Sequence, residues 1–202
     1  MKNVKLDDFL GNEKELIDNV VNVLKNNGVI VLPSDTCYGI SCKFDSSVAK
    51  QKIAEFKNQS VDKPMTILIS NLNQLYELVE VSSLAAELIE EFWPGPLTLI
   101  LPAKNSDEYL AIRFLDHSFS RSIIDRLESP ICSTSANKHG SKESYHLDEL
   151  KMQFNNDLSG IDLIIDDGML DFNVPSTILK IVDDKLELIR EGELWSVIAN
   201  RF

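Results

Sequence analysis

Gly28-Val29-Ile30-Val31-Leu32-Pro33-Ser34-Asp35-Thr36-Cys37-Tyr38-Gly39 runs from an apolar, β-branched strand into a loop of hydroxyls, a carboxylate and a phenol. Val29–Leu32 reads as a buried strand that Pro33 ends. Open sheets layered with helices carry ligands at strand exits, and loops on a rigid scaffold hold much of the binding chemistry. A plain turn needs Pro and Gly, but not Ser34, Asp35, Thr36 and Tyr38 together. A second exit of this kind, Ser133-Thr134-Ser135-Ala136-Asn137, follows Pro130-Ile131. Two such exits point to a small-molecule site.

Outward from this strand, helices and strands interleave. Leu16, Ile17, Val20, Val21, Val23 and Leu24 recur at helical spacing over 13–27, with Gly28 as the expected terminator. A strand over 39–44 is expected next, then a helix from Ser46/Ser47 to Lys57 and a strand over 65–69. Helices over 71–80 and 83–92 follow, capped by Asn71 and by Ser82 or Ser83. The rigid turn Trp93-Pro94-Gly95-Pro96 leads into a strand at 97–101. Further strands are expected at 110–114, 130–133, 162–166, 176–182 and 186–190, and helices near 119–128, 146–152 and 193–200. Residues 97–114 and 176–190 leave no room for a crossover helix, so they read as hairpins. The fold class is therefore α+β, a mixed sheet flanked by helices. No linker or repeat divides residues 1–202, and one domain is expected, with its core over about 14–193.

At 202 residues, 44% hydrophobic and 26% charged, the composition is that of a globular protein with a sizeable core. No run reaches the roughly 18 apolar residues of a membrane span, and the N-terminal residues lack a signal-peptide core. No membrane association is expected, and a cytoplasmic location is. Cys37, Cys42 and Cys132 form no Cys-x-x-Cys, so they read as reduced thiols, neither a disulfide framework nor a zinc site. His117, His139 and His146 lack metal spacing and read as solvent-facing; Asp166-Asp167 reads as a strand-end turn. No metal site is expected. A net charge of −12 opposes a broad nucleic-acid surface, which needs clustered cations.

The candidate cations are few. Lys57 and Lys63 stand six residues apart, within reach of one bound anion, or else serve as a helix-dipole partner and a solvated charge. Arg113 and Arg190 sit at strand ends, placed to grip a carboxylate or phosphate or to form surface salt bridges. Ser133, Ser135 and Asn137 alternate, so an extended backbone turns all three to one side. Phosphate-loop, dinucleotide and nucleophile-elbow motifs are absent.

Taken in order, Pro33–Gly39, Lys57 with Pro64-Met65, Trp93–Thr98, Ile112-Arg113, Ser133–Asn137, Ser176-Thr177 and Leu188–Gly192 resemble the YrdC/Sua5 family of threonylcarbamoyl-AMP synthases, in the short form without the extra C-terminal domain. The resemblance implies a twisted mixed sheet around one large concave cavity. It also implies a nucleotidyltransferase reaction, in which L-threonine, bicarbonate and ATP (with Mg²⁺) yield threonylcarbamoyl-adenylate and pyrophosphate. A separate transferase complex then modifies the adenosine beside the anticodon of tRNAs reading ANN codons. By position, Lys57, Ser135 and Asn137 correspond to catalytic residues. Thr36, Tyr38, Lys63 and Arg113 fall on the substrate side, and Ser133, Ser135, Asn137, Ser176 and Arg190 on the nucleotide side.

One position departs from the family. Lys57-Asn58-Gln59 stands where the family has Lys-x-Arg, a neutral amide in place of a guanidinium. This departure motivates the alternative of a non-catalytic relative that binds nucleotide, double-stranded RNA or tRNA. A third option is a paralogue that adenylates another amino acid.

Overall fold

The computed structural model describes residues 2–9 and 11–202. In chain order it holds β1 (Lys2–Lys5), a 3-10 turn (Leu6–Phe9), α1 (Glu13–Lys25), β2 (Ile30–Leu32), β3 (Gly39–Lys43) and α2 (Ser47–Lys57). Then come β4 (Thr66–Ile69), α3 (Leu72–Leu78), α4 (Ser83–Phe92), β5 (Leu97–Pro102), β6 (Tyr109–Phe114) and α5 (Ser118–Leu127). The remainder is β7 (Ile131–Ser135), α6 (Leu147–Gln153), β8 (Leu163–Asp166), β9 (Thr177–Val182), β10 (Lys185–Arg190) and α7 (Trp195–Ile198). The strands form one ten-stranded sheet in the order β1-β8-β2-β3-β7-β4-β6-β5-β9-β10. It is mixed as expected: β5/β6 and β9/β10 are antiparallel hairpins, while β2/β8, β4/β6 and β5/β9 pair in parallel.

Alternation along the strands builds two cores. On one face Ile30, Leu32, Leu163 and Ile165 pack with Leu16, Val20 and Leu24 of α1 and Phe119, Ile123 and Leu127 of α5. On the other, Val29, Val31, Ile40, Cys42, Ile67, Leu99, Ile112 and Cys132 pack with side chains of α2, α3, α4 and α6. Along these inner strands successive side chains therefore point to opposite faces of the sheet.

The helix starts follow the sequence. Ser46, Asn71 and Ser82 accept from the backbone N–H groups of Ala49, Gln74 and Ala85 at 3.1, 3.1 and 3.3 Å. One expectation about the helix ends needs correction. The terminator of α1 is Asn27, which takes the left-handed conformation (φ 57°). Gly28 follows because a Cβ there would lie 2.7 Å from Val23 O. In addition, β1 joins the sheet edge in parallel with β8, although its one buried side chain, Val4, gives almost no periodic signal.

At the mouth of the β9–β10 hairpin, Gly192 lies so close to residues 175–177 that a Cβ would collide with Pro175 O and Thr177 N. Gly192→Ala should therefore cost about 1–3 kcal/mol of stability through overpacking, read as a lowered urea midpoint; an unchanged midpoint would show that the mouth has slack.

Candidate functional site

The helices of the first core cover only part of their sheet face. Beyond them, on that same face, the sheet turns Gly39 and Ser41 of β3, Thr66 and Leu68 of β4, Thr98 of β5, Arg113 of β6, Ser133 and Ser135 of β7 and Ile178 of β9 into an open cavity of about 340 Å³. Their odd–even partners lie in the opposite core, so the pleat that buries Ile40, Cys42, Ile67, Ile112 and Cys132 presents hydroxyls and a guanidinium on its other side. Register sets them side by side: Ser41 pairs with Ser133 and Ser133 with Thr66. Ser41 Oγ donates to Ser133 Oγ at 2.9 Å, which leaves the Ser133 proton for a ligand.

The loop 33–38 forms one wall. Ser34 Oγ accepts from the N–H groups of Thr36 and Cys37 at 3.2 and 3.1 Å and donates to Cys37 O at 2.6 Å, a local turn made by a hydroxyl. Thr36 lines the cavity, and its Oγ1 accepts from Arg113 Nη1 at 3.1 Å. Cys37 also lines it, with a thiol that burial pushes up to about 11 and so keeps neutral. Tyr38 belongs elsewhere. The expectation placed it on the substrate side, but it is fully buried in the second core. Its hydroxyl donates to Gly168 O and accepts from Asp167 N, both at 2.9 Å.

Three cations converge. Arg113, 6% exposed, donates from Nε to Gly95 O at 3.1 Å, which ties it to the Trp93–Pro96 turn. Its Nη2 lies 2.6 Å from Asp35 Oδ2, although neither that nitrogen nor either Asp35 oxygen finds hydrogen-bond geometry; the pair is coulombic. Arg190 donates to Ser176 O from Nε and Nη2 at 3.0 and 2.8 Å. It also reaches Ser176 Oγ at 3.0 Å, and that oxygen bonds Thr98 Oγ1 at 2.9 Å. Lys63 lines the cavity and pairs with His139 Nδ1 at 3.1 Å.

Lys57 and Asn137 lie under the wall, not in it. Lys57 Nζ donates to Thr134 Oγ1 at 3.3 Å, to Asn137 Oδ1 at 3.1 Å and to Ser135 O. Asn137 accepts from Ser135 Oγ at 2.7 Å and donates to Ser141 O. The expected common face of Ser133, Ser135 and Asn137 therefore breaks after Ser135, where β7 ends and Asn137 N turns back onto Ser135 O. Gln59 lines a separate surface groove with Gln51, Asn58 and Val61. Two histidines expected to face solvent are half-buried helix caps: His117 accepts from Ser120 N and His146 from Asp148 N. Ser41, Thr66, Thr98 and Glu143 line the cavity without having been singled out. The first three carry a faint signal, lone hydroxyls at strand spacing among aliphatics; Glu143 carries none.

A family model, Sua5_yciO_yrdC, described as "Telomere recombination", matches residues 22–192. The chain is 33% identical over 187 residues to a Methanocaldococcus jannaschii protein, covering 89% of this chain and 86% of that one. It is 31% identical to the Bacillus subtilis (strain 168) protein named "Threonylcarbamoyl-AMP synthase", covering 94% of this chain and 57% of the relative. Among solved structures it resembles P. abyssi Sua5 complexed with L-threonine, with a TM-score of 0.83 and 28% identity, over 94% of this chain and 56% of that one. The chain thus spans little more than half of the latter two.

The setting of Lys57 gives a test of its own. Burial first, and the Lys63 charge second, push its ammonium down to about 8, so it remains largely cationic at neutral pH. Between about pH 8 and the ordinary 10.5 the folded chain binds fewer protons here than the unfolded one. Stability should therefore rise with pH across that window relative to Lys57→Met. Parallel pH profiles in urea titrations of the two proteins would contradict the lowered value.

Proposed function

Because the chain belongs to the Sua5/YciO/YrdC family, we propose that it is an L-threonylcarbamoyladenylate synthase supplying threonylcarbamoyladenosine modification of tRNA. The observation that carries the reading is the convergence of Lys63, Arg113 and Arg190 with a row of hydroxyls in one cavity. This combination suits a ligand that is both polyanionic and rich in hydrogen-bonding groups.

In this reading the nitrogen of the neutral threonine amine bonds to the bicarbonate carbon as a C–O bond breaks and water leaves, giving N-carboxythreonine. Its carboxylate oxygen bonds to the α-phosphorus of ATP as the bond to pyrophosphate breaks. Mg²⁺ arrives with the ATP phosphates as part of the substrate. The chain's work is positioning and charge stabilisation. Thr36 and Arg113 face the amino acid, while Ser133, Ser135, Ser176 and Arg190 face the nucleotide. Lys57 acts through Thr134, Ser135 and Asn137, fixing their oxygens and adding positive potential from below. The net charge of −12 works against the RNA-binding alternative. Gln59 lines a groove outside the cavity, with its Oε1 buried and unpartnered, and its absence from the cavity lining lessens the weight of its departure from the family pattern. The adenylate passes to a separate transferase complex.

Pyrophosphate release from ATP should require both L-threonine and bicarbonate. Arg190→Lys, which keeps the charge and loses the fork, should raise the KM for ATP roughly tenfold. Release indifferent to threonine, or supported better by another amino acid, would overturn the assignment.

A further inference from the structure

One group in the cavity is at odds with the rest. Glu143 lines it from the loop between β7 and α6. It is half-buried and takes part in no hydrogen bond or ion pair among the described residues. Its neighbours are accounted for: Asp35, Thr36 and Gly95 engage Arg113, Ser176 engages Arg190, and His139 engages Lys63. Nor is the loop free to carry Glu143 away. Gln153 Nε2 donates to Lys142 O at 3.0 Å on one side. On the other, Tyr38 N donates to Ser144 O at 3.0 Å, and Ser144 is fully buried.

A carboxylate held in a partly desolvated, anion-seeking cavity weakens phosphate binding; it feels the charges of Arg190 and Lys57 at a distance but is in direct contact with no cation until one arrives. Asp35 cannot play that part, since it lies outside the cavity lining and is committed to Arg113. The proposed substrates include one organic cation, the α-ammonium of the amino acid. Resting on that reading of the function, we infer that Glu143 receives this ammonium and makes the cavity select an amine. The divalent cation that accompanies ATP is the competing occupant.

The test is calorimetric titration of wild type and Glu143→Gln with each L-amino acid and with (R)-3-hydroxybutyrate, which is threonine without its amine. ATP and divalent cations are left out in the first series, and Mg-ATP is titrated separately. Because the carboxylate has no partner, Glu143→Gln should melt like wild type. It should bind L-threonine about ten- to a hundredfold more weakly, leaving (R)-3-hydroxybutyrate unchanged and Mg-ATP unchanged or tighter. Undiminished threonine binding in Glu143→Gln overturns the inference and leaves the synthase reading standing; weakened Mg-ATP binding beside it would assign the carboxylate to the metal. If wild type ignores threonine but binds another amino acid through Glu143, the inference stands and the threonine assignment falls. If wild type binds no amino acid, both fall.

Discussion

One buried ammonium holds together the part of the molecule where the chemistry converges. Lys57 ends α2, is 2% exposed, and directs its nitrogen at two side-chain oxygens and one carbonyl just where β7 runs out. Without that anchor the segment 134–137 would lose its shared hydrogen-bond centre, and only the direct bonds between Ser135 and Asn137 would orient the pair. The three acceptors are neutral, so their contacts stabilise the cation without cancelling its charge. A carboxylate in their place would have fixed the loop equally well and removed the positive potential.

The same choice recurs around the cavity. Arg190 is immobilised by a carbonyl and a hydroxyl of Ser176. Of the guanidinium nitrogens of Arg113, two donate to neutral oxygens and one faces Asp35. A chain with 32 acidic and 20 basic residues thereby keeps a locally cationic concavity. The sheet makes this economical. Its central strands need aliphatic side chains beneath to build the core, and alternation leaves every second position above free for Ser, Thr and Arg. Local potential in a low-dielectric recess is set by these few groups more than by the chain's total charge.

Much of this was legible in the residues. The helical periodicity of α1, the capping Ser46, Asn71 and Ser82, and the two hairpins follow from local rules, and the two hydroxyl-rich strand exits do meet at the cavity. Tyr38 could have been read correctly from alternation alone: Gly39 and Ser41 face the cavity, so Tyr38, Ile40 and Cys42 must face the core. Lys57 follows Ile53 by one helical step of four, which already places it on the buried side of α2. Alternation fails at Asn137 because it holds only while the backbone stays extended, and β7 ends at Ser135, where Asn137 turns back onto its neighbour and meets Lys57, eighty residues earlier in the chain. β1 was illegible because an exposed edge strand with one buried valine has too few apolar positions to show a period. Glu143 was illegible because a lone carboxylate in a polar loop acquires meaning only from what surrounds it in space.

The strand order also governs how the molecule is assembled. β8 lies between β1 and β2, so β1 has no strand to pair with, and β2 lacks one of its two neighbours, until residues 163–166 have emerged from the ribosome. The cavity is completed later still, because β9 and β10 carry the Ser176–Arg190 clasp and zip onto β5, some eighty residues upstream. Ligand-binding competence therefore waits on residues 176–190, the same stretch that brings Leu179 and Ile181 to the second core.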